Sequence, residues 1–501
     1  QGIEMWQPVF AAAGFSNAIL AQDAPSPQED PDWDAEDARY SSIRWLPSTV
    51  ENAMGPHVSD PRTGEILEAD ILMYHNVIKL ARDWYFIQAS PNDPEAQKLP
   101  LPDDTIGRAL AYVVAHEVGH SLGFPHNMKA SSSYSVEQLR DAAFTAQYGT
   151  EASIMDYGRF NYVAQPGDGA TLIPKIGPYD YFAAEWGYRQ YADAAAEEAG
   201  LAALVAKQVA DPMLRFGDPN AAEDPSQQTE DLGADPIAAT ALGLKNLDRV
   251  AGYLVDACCD AGEDYELLQN MYDELVGQRG RELMHVANVV GGVTRANLRF
   301  GDAEAVYHPV GREQQEAAVA FLQEHAFRTP ATLIDPGILL RLEAGGAQDR
   351  ILSGQKRLLG ALINGSRAKR MAEQAERLGP AAYPPLDLLR DLSRGIWSEL
   401  SQEPVAIDLY RRNLQRAHVE VLADQLGSEF PDSDLPSLSR GELVALGDAL
   451  ANHLRRSAIG DEETRLHLAD LEARIRQVLD PAAGRGAVPA SGLGAQAREH
   501  E

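Results

Sequence analysis

The stretch Ala115-His116-Glu117-Val118-Gly119-His120-Ser121-Leu122-Gly123-Phe124-Pro125-His126 decides how this chain is read. It spells HExxHxxGxxH without a mismatch. On a helix, residues four apart share a face, so His116 and His120 can offer two imidazole nitrogens to one metal ion. Glu117 is too close in sequence to be the third ligand and suits a general base toward a metal-activated water. Gly123 can take the left-handed conformation that stops a helix and turns the chain. That turn lets His126 return as third ligand. Three protein ligands leave a fourth position open, which marks a catalytic rather than a structural zinc site. By chance the five-position pattern should arise about once in 10⁴ or more chains of this length.

Upstream, Asp103 or Asp104 is expected to cap a helix running to about Leu122. Ile106, Leu110, Tyr112, Val113 and Val114 mark that helix as buried. A polar cluster at the end of a buried helix is costly unless its groups are paired or metal-bound. Further back, residues 76–88 read as a helix, and 66–74 as a strand with Leu67, Ala69, Ile71 and Met73 on one face. At the edge of a sheet, such a strand could hold an extended peptide by main-chain pairing. A helix over 2–13, strands over 17–22 and 40–46, an acidic loop over 23–38 and a turn at Asp60–Gly64 complete this part. The acidic loop invites comparison with a calcium site, but its spacing fits no EF-hand, and a solvated loop is the default.

The chain has 501 residues, 45% hydrophobic and 24% charged, which is the composition of an ordinary globular protein of two to four domains. A net charge of −32 repels phosphate backbones and argues against nucleic-acid binding. No apolar run approaches the roughly 18 residues that span a bilayer. The N-terminus lacks a basic segment followed by an apolar one, so no signal peptide is expected in this chain. Gln1 in place of an initiator Met is expected of a mature form or an excised fragment. The two cysteines, Cys258 and Cys259, are adjacent and supply no disulfide framework.

Past the motif comes Ser153-Ile154-Met155-Asp156-Tyr157. A three-histidine zinc motif followed by a Met-containing turn resembles the signature of the metzincin metalloproteases. The resemblance implies that Met155 forms a hydrophobic floor beneath the zinc. It also implies that Tyr157, two residues on, approaches the zinc and stabilises the tetrahedral intermediate. Gly177-Pro178-Tyr179-Asp180, leading into Tyr181–Tyr188, is similar to the closing helix of such domains. Asn127 after the third His, the 76–88 helix and the lack of an inhibitory cysteine motif depart from the well-known branches. The whole resembles large bacterial zinc-dependent metalloproteases, which implies export to an extracytoplasmic location.

From residue 236 onward helical patterns dominate, with no fixed repeat and no recognisable chemistry. The expected architecture is therefore α+β: a metzincin-like catalytic domain with a small twisted sheet and an active-site helix, then a mostly α-helical region. Its expected divisions are a catalytic domain over 1–210, an acidic linker over 211–235, an all-α region over 236–480 and a disordered tail over 481–501. The expected function is peptide-bond hydrolysis by one zinc ion acting on a peptide or protein substrate. Two alternatives stay open: a metal-stabilised scaffold with little activity, and an amidase on a non-peptide substrate. The oligomeric state is not legible.

Overall fold

In the computed structural model, the alternation over Ile66–Tyr74 builds a strand at the centre of a four-stranded sheet. Its partners are β1 (Ser42–Leu46), β2 (Ala53–Met54) and β3 (His57–Ser59), and it is itself β4. The structure describes residues 1–218, 223–299, 301–302, 305–427, 432–456 and 458–480. β4 pairs in parallel with β1, placing Ile43 opposite Ile71 and Trp45 opposite Met73. On its other side it pairs antiparallel with β2 and β3, Ala53 opposite Met73 and His57 opposite Ala69. β4 is thus interior, which corrects the expectation that it could serve as a substrate-holding edge. The edge on that side is Ala53–Ser59, two short pieces broken at Gly55-Pro56, where proline has no N–H to give a ladder. Residues 17–22 form no strand, because their alternation finds no partner among the described residues.

Behind the sheet lie α1 (Gln7–Ala12), α2 (Val77–Ala89) and α3 (Asp103–Ser121). The N-cap of α3 is Pro102, which makes no side-chain cap. Asp103 and Asp104 instead occupy the first turn, where carboxylates favour the unpaired N–H groups of the helix start. Tyr112, Ala115 and Val118 of α3 bury against Ile71 and Met73 of β4, Trp6, Val9 and Phe10, and Ile154 and Met155. Trp6 is wholly buried, donates from Nε1 to the Ala115 carbonyl at 2.9 Å and stacks on Phe124 with centroids 5.4 Å apart.

The chain continues through α4 (Val136–Arg140), α5 (Ala142–Tyr148), α6 (Pro178–Tyr188) and α7 (Ala194–Ala210). Then come α8 (Pro236–Cys258), α9 (Glu266–Val289), the hairpin β5 (Val293–Arg295) with β6 (Tyr307–Pro309), α10 (Arg312–His325) and α11 (Pro336–Leu342). The chain forms two compact units, one of residues 1–322 with 330–347, the other of 323–329 with 348 onward. The described residues of the 211–235 segment lie in the first unit and are not a free linker. Their polar side chains are spent on buried partners: Asp224 pairs with Lys129 Nζ at 3.2 Å and accepts from the Arg295 N–H, while Leu232 enters a core with Tyr134 and Tyr162. Composition reads such a stretch as a linker because it cannot display these long-range partners. The β5–β6 hairpin likewise interrupts a region expected to be all helix.

The second unit is helical: α12 (Ala347–Leu362), α13 (Gly365–Leu378), α14 (Pro385–Ile396), α15 (Leu409–Asp424), α16 (Leu435–Arg456) and α17 (Glu462–Leu479). Its interior holds the ion pair of Arg411 with Glu399, and Arg411 also donates to the Ile396 carbonyl at 2.7 Å. The expected tail at 481–501 lies outside the described residues. Among the described residues no helix is long and apolar enough to cross a membrane.

Replacing Trp6 by alanine removes a filled core volume and a buried hydrogen bond against the back of α3. The variant should lose about 3–5 kcal/mol in denaturant unfolding. A loss below about 1 kcal/mol would show that α1 does not brace α3.

Candidate metal centre

α3 places His116 and His120 one turn apart, with ring centroids separated by 4.8 Å. Each imidazole spends its Nδ1 on a backbone carbonyl: His116 on Ile154 at 2.7 Å, His120 on Phe124 at 2.9 Å. A carbonyl only accepts, so Nδ1 carries the proton and each Nε2 is left with a free lone pair. Gly123, at φ +89°, turns the chain out of the helix, and its N–H donates to the His120 carbonyl at 2.9 Å. Three residues later His126 comes back, with its Nε2 3.0 Å from that of His120 and 3.3 Å from that of His116.

Burial and the neighbouring imidazoles hold these rings neutral. The pKa of His116 is lowered to about 3 by burial and then by His120, and that of His126 to about 4 by the same causes. Burial lowers His120 as well. The free Nε2 atoms of His116 and His120 therefore converge, at contact distance, on the Nε2 of a third neutral imidazole, His126. That donor set fits a divalent cation that favours imidazole, such as zinc. Among the described residues these three form the one group of His, Cys, Asp or Glu with ligand atoms close enough to share an ion. The acidic loop forms no such group; its carboxylates turn back on local N–H groups, as Asp30 does on Asp32 and Asp34 on Glu36.

Glu117 is nearly buried, and burial pushes its carboxyl up to about 7, against the opposing pull of the Gly55 N–H. Tyr157 packs its ring on the triad, 4.3 Å from the His126 centroid and 5.2 Å from that of His116. Its loop is held on both sides. Asp156 accepts from the Ser131 N–H at 2.7 Å, Glu151 accepts from the Gly158 N–H at 2.9 Å, and Arg159 pairs with Glu230 and lies over the Trp84 ring. Met155 is buried beneath α3, its sulfur so close to Gly119 that a Cβ there would lie 2.1 Å from it.

Several residues that shape this centre carried no legible role. Asn127 is fully buried, donates its side-chain amide to the Arg215 carbonyl at 3.0 Å and accepts from the Gly217 N–H at 2.8 Å. Its own N–H donates to the Met155 carbonyl at 3.0 Å, tying the segment after the third histidine to the loop at Met155. The only signal in the sequence was its position as a departure from better-known relatives. Asp180, in the first turn of α6, accepts from Ser153 Oγ, the Ile154 N–H and the Gly177 N–H at 2.6–2.9 Å. It thereby fixes the peptide whose carbonyl holds His116. The Gly-Pro-x-Asp spacing hinted at a helix start, but not at this link. Gly55 and His57 also touch α3, and nothing local to them predicts it.

An apolar cavity of about 1200 Å³, lined in part by Phe10, Ile71, Val118, Phe124, Pro125 and His57, borders the Gly123 turn, but none of the three histidines lines it.

A three-histidine centre carried by a helix, a glycine turn and a returning loop, beside a small mixed sheet, defines a metalloprotease-like class of protein. The chain belongs to the Met-zincin family, whose model matches residues 98–404. That membership makes it a zinc-metalloprotease-like hydrolase. Searches of curated proteins and of solved structures returned no match.

Asp180→Ala leaves three donors around Ser153 and Gly177 without their acceptor. Each buried unmet donor costs about 1–3 kcal/mol, so the variant should lose about 3 kcal/mol or more of stability. Its zinc affinity should fall about 10-fold as His116 loses its support. Calorimetry and a competitive zinc titration check both; unchanged affinity would detach Asp180 from the centre.

Proposed function

We propose that this chain is a zinc-dependent endopeptidase in which His116, His120 and His126 hold the ion and Glu117 is the general base. When bound, zinc supplies Lewis-acid activation of a water molecule and of the scissile carbonyl. Glu117, at the edge of the triad and with a carboxyl raised toward neutrality, takes the proton of the attacking water on a carboxylate oxygen. The same carboxyl then hands that proton to the departing amine, so base and acid are one residue. Tyr157 lies against two of the three imidazoles, and its phenol donates to the oxyanion that develops on the former carbonyl. Met155 supports the triad from below through its contact with α3. Ile154 and Phe124 keep two imidazoles in the tautomer that leaves Nε2 free.

The observation that carries this reading is the convergence of three imidazoles within reach of one ion, two of them with Nε2 freed by hydrogen bonds made on the far side of their rings. The retained Glu117 beside them favours a working enzyme over a metal-stabilised scaffold. The resemblance noted above supports an extracytoplasmic location, which we carry forward as part of the proposal.

The purified chain should bind one zinc per molecule and cleave peptides from a library, with cleavage abolished by a chelator and restored by zinc. Glu117→Gln should keep its zinc and lose at least about 10³-fold in kcat, since the amide cannot accept the proton. Full activity in that variant would refute the assignment. Zinc binding without cleavage of any peptide would favour the scaffold or the non-peptide amidase. Tyr157→Phe should lower kcat about 10- to 100-fold with little change in KM. Unchanged kinetics would leave that ring a packing role.

A further inference from the structure

The edge segment Ala53–Ser59 leaves the sheet ladder where it passes α3. Met54 is opposite Leu72 and His57 is opposite Ala69, but Gly55 and Pro56 belong to neither ladder. Pro56 has no N–H to pair. The Gly55 N–H is turned instead toward the Glu117 carboxylate. The approach is close: a Cβ on residue 55 would lie 2.2 Å from the Glu117 carbonyl oxygen and 2.9 Å from its carbonyl carbon. Both obstacles are backbone, so no rotamer change relieves them. Two residues further on, His57 donates from Nδ1 to the His120 carbonyl at 3.1 Å. The segment therefore fastens to α3 at two points one helical turn apart, at Glu117 and at His120.

We propose that Gly55 and His57 are positioning residues, a clip that fixes Glu117 against the sheet edge and sets its carboxylate relative to the triad. The proposal rests on the reading of Glu117 as general base. A glutamate side chain has three rotatable bonds, and most of its rotamers would point the carboxylate away from a water held at the histidines. Gly55 lets the backbone come near enough to offer that carboxylate an N–H. His57 holds the segment in place from an exposed position, by one hydrogen bond to a helix carbonyl. The two strand pieces flanking the clip are tied into β4, so its position is inherited from the sheet. A base displaced by a fraction of an ångström loses turnover while substrate and zinc still bind.

The test compares zinc content, KM and kcat on a library-derived peptide for the wild-type chain and three variants. Gly55→Ala should keep its zinc, keep KM within about threefold and lose about 10-fold or more in kcat. His57→Ala should lose about 3- to 10-fold in kcat, again with zinc and KM preserved. His57→Asn places an amide N–H where Nδ1–H stood and should recover most of that loss, a rescue that packing alone would not produce. Wild-type kcat in Gly55→Ala with zinc bound, or His57→Asn no better than His57→Ala, overturns the clip. If Gly55→Ala does not fold, as judged by near-UV circular dichroism, the two His57 variants decide alone. A wild-type chain that binds zinc but cleaves nothing overturns the endopeptidase reading and the clip with it. An active wild type with unaffected variants overturns only the clip.

Discussion

Everything at the metal centre turns on three imidazoles gathered at one point, the His126 Nε2 lying 3.0 Å from that of His120 and 3.3 Å from that of His116. The arrangement persists because the fold fixes the His116 and His120 rings from outside and the backbone on either side of His126. Ile154 and Phe124 take the Nδ1 protons, the Gly123 turn sets the path from second to third histidine, and Asn127 pins that path to the Met155 carbonyl. Behind them, Asp180 holds the Ile154 peptide, and Trp6 and Met155 fill the space under α3. The cost of desolvating three imidazoles together is met by many ordinary interactions. A divalent cation at their centre would draw all three nitrogens into ligation.

The same geometry makes the centre sensitive to distant structure. His116 depends on Ile154, Ile154 on Asp180, and Asp180 on the start of α6, a chain of contacts linking residues 116 and 180. Tyr157 depends on a loop whose carboxylates, Asp156 and Glu151, are buried and occupied with backbone N–H groups. Burial pushes both of these carboxyls upward from their ordinary range. Stability and site geometry therefore draw on the same buried polar groups, and substitutions made for one will disturb the other.

How much of this could be read beforehand follows from the range of each interaction. The HExxHxxGxxH pattern is local: helix periodicity, one glycine and a short return are enough to anticipate where His116, His120 and His126 meet. The helices with strong apolar periodicity, such as α2, α3, α8 and α9, were legible for the same reason. The small strands Ala53–Met54 and His57–Ser59 were not, since two or three residues carry no period and their identity comes from pairing with β4. The centrality of β4 was hidden for the same cause. Residues 211–235 looked like a linker because Asp, Pro and Gln are what linkers contain. The burial of Asp224 and Leu232 within this segment rests on Lys129, Arg295 and Tyr162, which lie far off in sequence. Asp103 and Asp104 misled by one position, a normal consequence of several acids at a helix start.

The most direct measurement of the central claim is zinc K-edge X-ray absorption on the stoichiometrically loaded chain. The account predicts three nitrogen ligands at about 2.0–2.1 Å with one light oxygen donor completing a four-coordinate shell. The imidazole signal should drop to two rings in His126→Ala. A shell containing sulfur or several carboxylates, or one unchanged when residue 126 is replaced, would contradict it.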